Sequence, residues 1–269
     1  MKGLSRGGAS ADATRDRVRE RYGAIAEQRG CCGAEAATAC CGCATDQQAE
    51  RLGYAARELE GVPEGSNLGL GCGNPTGLLA LLPGQVVLDL GSGAGVDCFL
   101  ASKKVGRKGR VIGVDMTPSM ISRARENARR GRYPNVEFRL GEIEHLPVAD
   151  ASVDVVISNC VINLAPDKAD VYREAFRVLR PGGRLAVSDV VATRSISVQD
   201  RPDTALWSGC SSGALTPSRI TTLLRRAGFR DVRVKIRVPD PVPGSLQEEA
   251  SIGVYPADIQ ASRGGRTRP

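Results

Sequence analysis

Strand-like and helix-like segments alternate along this chain from Val86 onward, and this alternation restricts the possible folds most strongly. Short runs of β-branched residues, such as VVLDLG and RVIGVDM, are each followed by a helical pattern, as in VDCFLASKKVG and TPSMISRARENARRG. Strands joined by helices pair in parallel, and such a sheet is covered by helices on both faces. The sequence therefore predicts an α/β fold that is doubly wound around a mostly parallel sheet.

The chain divides into four segments by composition. Residues 1–65 combine a predicted helix with the Cys-rich stretch GCCGAEAATACCGCATD, which has no large apolar residue on which to build a core. Residues 66–195 hold the strand–helix alternation, and residues 196–260 add a C-terminal α+β extension with a loop, a helix and strands. Residues 261–269 form a basic tail that is expected to be disordered.

The net charge of +7 raises the question of an anionic partner. Cationic and acidic residues are interspersed, and no basic patch alternates with stacking aromatic residues, so no nucleic-acid partner is expected. No signal peptide is visible, and no apolar run reaches the about 20 residues that a membrane span needs. We expect a cytoplasmic protein without a membrane partner, and a monomer by default.

Nine cysteines are many for a cytoplasmic chain of this size, where thiols stay reduced. Metal, metalloid or redox chemistry explains them better than structural disulfides do. Cys72 lies between two glycines and Cys210 lies in the loop sequence WSGCSSG, where packing gives no reason for a thiol, and Cys160 ends the strand-like run VVISN. Cys98 falls inside a predicted helix and is expected to pack in the core.

The segment LDLGSGAGVD places Gly91, Gly93 and Gly95 between the first predicted strand and its helix. Glycines there let a cofactor approach the backbone at the carboxyl end of the strand. A dinucleotide site would have its third glycine at the position of Val96, so the spacing speaks against a dinucleotide. The loop alone also leaves open a tight turn without a ligand.

Acidic residues accompany the glycine loop. Asp89 stands at its head, and Asp115 ends the second strand, where a carboxylate can accept both hydroxyl groups of a ribose. The segment LGEIEHLP supplies Glu142 and Ile143 after the third strand, where an adenine ring would lie. Together these features resemble the S-adenosylmethionine-dependent methyltransferases of the Rossmann-like class I, which implies a sheet of the seven-stranded type. In such a sheet the fourth strand lies beside the first, which would place Cys160 near the methyl group of the cofactor.

The blocks NLGLGCGNP, GVDMTPSM, VDVVISNCVINL, LRPGGRLAVSDVV and GCSSGALT extend the resemblance to the arsenite S-adenosylmethionine methyltransferases, over about residues 66–234. This resemblance implies that Cys72, Cys160 and Cys210 bind trivalent arsenic, supplied as arsenite, its thiol conjugate or methylarsenite. The residues that it implies for S-adenosylmethionine binding are Asp89, Gly91, Ser92, Gly93, Gly95, Asp115, Met116, Glu142, Ile143 and Asn159.

Thiolates suit this chemistry because As(III) is a soft, thiophilic centre. Its lone pair can attack a sulfonium methyl group in line, whereas an amine or a hydroxyl would need a general base. The one histidine of the chain, His145, falls in the EHLP turn, and we expect no base near the site. The protein would then contribute mainly proximity and alignment.

Arsenite methyltransferases commonly carry one further cysteine upstream of the GCG loop, and Cys32 is the best match here. The resemblance also implies a thiol reductant, thioredoxin or glutathione, because each methylation formally oxidises arsenic to As(V). Cys31, Cys40, Cys41 and Cys43 leave three interpretations open, namely metalloid capture, a zinc site that includes Cys40 and Cys43, or a segment without essential ligands.

Two other functions compete with arsenic methylation. A methyltransferase of the same fold could act on a small carbon acid, but that leaves three cysteines unexplained and requires a base. A non-catalytic thiol-rich metalloid-binding protein could have kept the fold, although the glycine loop and Asp115 speak against it. Asp97 also has two interpretations, as a cofactor contact or as a helix start where an acid suits the dipole.

Overall fold

The computed structural model describes residues 11–27, 49–194, 210–238 and 253–265. Cys32 and the other four cysteines of residues 31–43 lie outside these ranges, as does the Cys-rich segment that contains them. Their roles stay predictions.

The strands are β1 (Val86–Leu90), β2 (Arg110–Asp115), β3 (Val136–Leu140), β4 (Val153–Asn159), β5 (Leu179–Ala192), β6 (Arg230–Ile236) and β7 (Val254–Ser262). In the described part of the chain they form one seven-stranded sheet in the order β3-β2-β1-β4-β5-β7-β6. β1 to β5 pair in parallel, and β7 lies antiparallel between β5 and β6. The predicted mostly parallel, doubly wound sheet is confirmed.

The helices are α1 (Ala11–Glu27), α2 (Ala56–Leu59), α3 (Pro75–Leu78), α4 (Val96–Val105), α5 (Pro118–Arg130), α6 (Lys168–Val178) and α7 (Pro217–Ala227). Local sequence explains their limits. α5 and α7 both begin with proline, whose fixed φ suits the first helical position. The Thr216 hydroxyl accepts the N–H of Arg219 at the start of α7, and Gly228 ends that helix with a φ of 107°.

Side chains of the central strands point alternately into two hydrophobic cores. On β1, Val87 packs with Phe99 of α4, whereas Leu88 and Leu90 pack on the other face with residues of α6 and α7. All four side chains are fully buried. Because both faces are covered, these strands consist of nearly continuous apolar runs in the sequence.

Helix α1 is fixed to the loop after β3 by ion pairs. Nε of Arg15 lies 3.2 Å from a carboxylate oxygen of Glu142, and Nη2 of Arg15 lies 3.2 Å from one of Glu144. Nη2 of Arg19 lies 2.6 Å from the other carboxylate oxygen of Glu142. Glu144 is buried, and this pairing offsets part of the cost of removing its carboxylate from water. α1 also packs against α5, which places the helix over the carboxyl edge of the sheet.

The expectation of a disordered tail over residues 261–269 is wrong at its beginning. Ala261 and Ser262 belong to β7 and pair with β5. The next residue, Arg263, donates to the carbonyl groups of Phe176 and Leu179, at 2.7 and 2.6 Å. The reason is that the end of α6 leaves carbonyl groups without helical partners, and this guanidinium satisfies them.

Two smaller points complete the architecture. β5 begins at Leu179, so the sequence PGG, Pro181 to Gly183, lies within the strand. No helix in the described ranges combines the length and the apolar character that crossing a membrane requires.

The glycines of α1 and β2 provide a test of this packing. A Cβ on Gly23 of α1 would meet its nearest neighbour, Ser119 Oγ, at an ordinary 3.6 Å. We expect Gly23→Ala to raise the free energy of unfolding by about 0.5–1 kcal/mol, because alanine restricts the unfolded chain and favours the helix. Urea denaturation measures the change.

Gly113→Ala in β2 is the matched control. Its Cβ would lie 2.6 Å from the Phe138 ring and 2.8 Å from Ser92 Cβ. The same substitution should therefore lower the free energy of unfolding there by about 1–3 kcal/mol. Equal effects at the two positions would contradict the packing described.

Candidate functional site

A cleft of about 1180 Å³, counted to its open mouth, lies at the carboxyl ends of β1, β2 and β4. The glycine loop, the residues after β2 and the end of β4 form one wall, and α1 with residues 49–71 forms the other. Doubly wound α/β folds bind ligands at this edge of the sheet. The lining combines apolar side chains with a few polar groups, as small-molecule sites do.

The backbone of the glycine loop is fixed to the end of β2. The N–H of Gly91 donates to the carbonyl of Val114 (2.8 Å), and the N–H of Gly93 donates to the carboxylate of Asp115 (3.0 Å). Gly93 has a φ of 51°, and no atom lies within 4 Å of the position that a Cβ would take. The loop therefore presents bare backbone to the cleft. Burial raises the pKa of Asp115, and hydrogen bonds from backbone N–H groups oppose that shift.

Most of the predicted cofactor-binding residues line the cleft, namely Gly91, Ser92, Gly93, Asp115, Met116, Ile143 and Asn159. Three others do not. Asp89 is buried beneath the loop, and Gly95 caps α4. Glu142 turns its carboxylate to Arg15 and Arg19. For these three, the positions do not support the predicted direct contact with a cofactor, because their polar groups are used within the protein or covered by it.

The side chain of Asn159 joins the cleft to the loop that carries Cys72. Its Oδ1 accepts the N–H of Cys72 (3.0 Å), and its Nδ2 donates to the carbonyl of Gly73 (2.8 Å). Nδ2 also lies 2.9 Å from the Tyr54 hydroxyl and 3.1 Å from the carboxylate of Asp97. The Tyr54 hydroxyl in turn donates to Asp97 (2.7 Å). Burial raises the pKa of Asp97 to about 6, against the opposing effect of these hydrogen bonds.

Two of the three predicted arsenic-binding cysteines meet at the end of β4. The sulfur atoms of Cys72 and Cys160 and a carboxylate oxygen of Asp189 all lie within 4.8 Å of one another. The carbonyl of Ser188 accepts both the N–H of Cys160 (2.8 Å) and the thiol of Cys72 (3.4 Å). Neither cysteine forms a disulfide bond. One carbonyl group thus aligns the two loops that carry the thiols.

The third predicted arsenic ligand, Cys210, opens a 3₁₀ helix at Cys210–Gly213. This helix contacts a second 3₁₀ helix, Ile162–Leu164, which begins two residues after Cys160. The two backbones approach closely, since a Cβ on Gly213 would overlap the carbonyl of Asn163. The side chain of Cys210 lies outside the described part of the structure, so its role as a ligand stays a prediction.

The glycines that flank Cys72 are required by close approach of neighbouring atoms. A Cβ on Gly71 would lie 2.7 Å from the amide nitrogen of Asn159. A Cβ on Gly73 would lie 2.7 Å from both Cβ and Oγ of Ser188. These distances are too short for any side chain. The GCG sequence therefore allows the loop to enter between the ends of β4 and β5.

Asp189 is a residue of the site that the sequence analysis does not identify. Its carboxylate accepts hydrogen bonds from the Asn163 amide (2.9 Å) and from the N–H of Val190 (2.8 Å), and burial raises its pKa to about 6.

His145 is exposed in the turn after β3. The expectation that no base lies near the thiols is wrong, because the carboxylate of Asp189 is beside both sulfurs. The sequence signal for Asp189 is the segment SDVV near the end of β5. That segment becomes informative only when β5 is known to lie next to β4.

Comparison with known proteins identifies similar chains. A family described as "Methyltransferase domain" matches residues 81–228. The chain is 53% identical over 230 residues to the arsenite methyltransferase of Halobacterium salinarum, covering 83% of this chain and 59% of that protein. It is 47% identical over 194 residues to the arsenite methyltransferase of Aquipseudomonas alcaligenes, covering 70% of this chain and 56% of that protein. The chain therefore spans less than two thirds of the length of these curated relatives.

A solved structure is also similar. It is that of an arsenic (III) S-adenosylmethionine methyltransferase from Chlamydomonas reinhardtii, with 34% sequence identity and a TM-score of 0.64. The match covers 84% of this chain and 75% of the algal chain.

The backbone of Cys160 provides a test of the strain at this site. Its φ of 56° lies in the left-handed region, which costs a non-glycine residue about 1–2 kcal/mol. We expect Cys160→Gly to have a free energy of unfolding about 1 kcal/mol higher than that of Cys160→Ala, because glycine adopts this conformation without strain. Both variants lack the thiol, so the pair isolates the backbone term in a urea titration. Equal stabilities would mean that Cys160 is not strained.

Proposed function

The chain belongs to the arsenite methyltransferases of the methyltransferase-domain family, and on this premise we propose that it transfers methyl groups from S-adenosylmethionine to trivalent arsenic held by cysteine thiolates. The products would be methylated arsenicals. The observation that carries the proposal is the convergence of two sulfurs, from Cys72 and Cys160, beside the cleft at the carboxyl edge of the sheet. Cys160 itself lines that cleft.

The chemistry of the cleft fits S-adenosylmethionine. Asp115 offers a carboxylate for ribose hydroxyl groups, and Gly93 offers open backbone. The Ser92 hydroxyl is buried and has no hydrogen-bond partner among the described residues, so it is available to a polar group of the cofactor. Met116 and Ile143 supply apolar surface for the adenine. When bound, the cofactor supplies a methyl group that is already activated on sulfur.

The thiols determine how arsenic would be presented to the cleft. Arsenite would exchange hydroxyl groups for the sulfurs of Cys72 and Cys160, and for that of Cys210 as the proposed third ligand. Thiolates suit the soft As(III) centre, whose lone pair remains on the side opposite the sulfurs. That lone pair would attack the methyl carbon as its bond to the sulfonium sulfur breaks, which would release S-adenosylhomocysteine and take arsenic formally from As(III) to As(V). No proton has to leave the nucleophile in this step.

A second methylation requires that arsenic return to As(III), which takes two electrons. We propose a thiol reductant as their source, either thioredoxin or glutathione. We further propose that Cys32 acts as an additional thiol in this exchange. It stands upstream of the GCG loop, where the chain carries five cysteines.

One observation favours a second candidate function, methylation of a small carbon acid. Asp189 places a carboxylate with a pKa of about 6 next to the site, and such a group could accept a proton from carbon. This candidate leaves the two converging thiols without a purpose, so we rank it below arsenic methylation. The response of the activity to removal of a thiol separates the two.

The decisive experiment is incubation with labelled S-adenosylmethionine, arsenite and a thiol, followed by speciation of the arsenic products. Labelled methylarsenicals are expected from the unmodified protein. Cys160→Ser should reduce their formation by more than about 100-fold, because changes around a ligand already cost 10–100-fold in metal affinity. Binding of S-adenosylmethionine, measured by calorimetry, should change little.

Cys98→Ser is the matched control for this substitution. Cys98 is fully buried, and its thiol donates to Asp89 (3.2 Å), a bond that a hydroxyl can also make. Its activity should therefore be retained. Arsenic methylation by Cys160→Ser at the unmodified rate would refute the proposed site.

Cofactor binding has its own test in Asp115→Ala. A hydrogen bond to a charged acceptor contributes about 1.5–3 kcal/mol, so the dissociation constant for S-adenosylmethionine should rise at least about tenfold. Asp150→Ala, at an exposed acid paired with Arg177, should leave it unchanged. A melting curve checks that the glycine loop remains folded, since Asp115 also accepts two backbone N–H groups. An unchanged dissociation constant in Asp115→Ala would contradict the assignment.

A further inference from the structure

We propose that Arg237 is a positioning residue that holds Cys72 in place for arsenic capture by binding the backbone of Cys72. This inference rests on the proposed function for the identity of the captured species. The fixed geometry of the loop is a property of the protein alone and is tested separately.

Arg237 reaches the thiol loop from the C-terminal part of the chain. It follows the last residue of β6, and its Nη2 donates to the carbonyl of Cys72 (2.8 Å). Its Nε lies 3.1 Å from a carboxylate oxygen of Asp258 on β7, in an ion pair without hydrogen-bond geometry. The backbone N–H of Arg237 donates to the carbonyl of Pro256 (2.7 Å). The backbone bond therefore fixes the main chain of Arg237 against β7, and the ion pair directs its guanidinium.

The two backbone polar groups of Cys72 are bound by different parts of the sheet. The side-chain oxygen of Asn159, at the end of β4, accepts the N–H of Cys72, and Arg237 donates to the carbonyl of Cys72. Gly73 leaves room for this second contact, because a Cβ there would overlap Nη2 of Arg237. The loop thus passes between the amide and the guanidinium, and we call this pair of contacts the Cys72 clamp.

A clamp of this kind matters because Cys72 lies in the glycine-rich sequence GLGCGN. Glycines give a loop much conformational freedom. That freedom must be lost when the sulfur of Cys72 and a second cysteine sulfur bind the same arsenic atom. Fixing the loop beforehand removes that cost from binding. Arg237 contacts the carbonyl of Cys72 and lines no part of the cleft, so its effect should appear in arsenite capture.

The first measurement reports sulfur convergence without any methylation. A short bifunctional thiol reagent is added to the full chain, and the Cys72–Cys160 bridge is quantified by peptide mass mapping. Arg237→Ala should reduce bridging several-fold, and Arg237→Lys should restore part of it, because an ammonium can still donate to the carbonyl of Cys72 but cannot serve both partners as the guanidinium does. Arg233→Ala, at an exposed arginine of β6, is the matched control and should bridge like the unmodified protein.

The second measurement separates capture from turnover. Arg237→Ala should raise the KM for arsenite about tenfold or more, the size of one hydrogen bond from a charged donor, and should leave kcat within about threefold. Melting temperatures of all variants are compared, so that a general loss of stability is recognised. An equal loss of kcat and no rescue by Arg237→Lys would indicate a merely structural role and overturn the proposal.

Failure of this inference and failure of the proposed function give different results. If the unmodified protein methylates no arsenic but Arg237→Ala still loses the Cys72–Cys160 bridge, the clamp stands and the proposed function fails. If methylation occurs and bridging is the same in Arg237→Ala and Arg233→Ala, the proposed function stands and the clamp is refuted.

Discussion

Parallel pairing of β1 with both β2 and β4 is the constraint on which the rest of the site depends. Three strands that run in the same direction must end at the same edge, so the glycine loop, Asp115 and Asn159 are brought together there. The cleft opens where the strand order reverses, between the β1 and β4 ends. β5 beside β4 then adds Ser188 and Asp189 to the same edge.

Contacts between side chains and backbone position the thiols within that frame. One amide, that of Asn159, bonds to the loop of Cys72, to Tyr54 and to Asp97, so the thiol loop and the cleft share a single group. Such contacts work only at short range, which is why glycines flank Cys72 where any Cβ would collide. Arrangements of this kind reduce the motion that a small substrate would have to arrest on binding.

Buried carboxyl groups give the edge its electrostatic character. Burial raises the pKa values of Asp89, Asp97, Asp115 and Asp189, and hydrogen bonds oppose part of the shift in each. Concentration of shifted acids at one edge of the sheet is typical of functional sites. A bound sulfonium cation would favour the ionised form of the acids nearest to it, which agrees with the proposed use of the cleft.

The sequence by itself was enough to predict the doubly wound sheet, the glycine loop, Asp115 as a cleft residue and the two thiols that meet, Cys72 and Cys160. The sheet, the glycine loop and Asp115 follow from local patterns, namely apolar periodicity, glycine spacing and an acid at a strand end, whereas the meeting of the two thiols was implied by the resemblance to the arsenite methyltransferases. Sequence patterns were less reliable for the contacts of residues whose partners lie far away in the sequence. Glu142 looked like an adenine contact, yet Arg15 and Arg19 of α1 bind its carboxylate.

Only the tertiary structure decided the positions of Asp189 and Arg237 beside the thiols. Asp189 belongs to the site because β5 lies next to β4, and Arg237 reaches Cys72 because the chain returns antiparallel through β6 and β7. A linear pattern records which side of a strand a residue occupies, but the distance between residues far apart in sequence is set by strand order and packing. For this physical reason, the local features of this protein could be predicted from the sequence, whereas the contacts between distant residues required the folded structure.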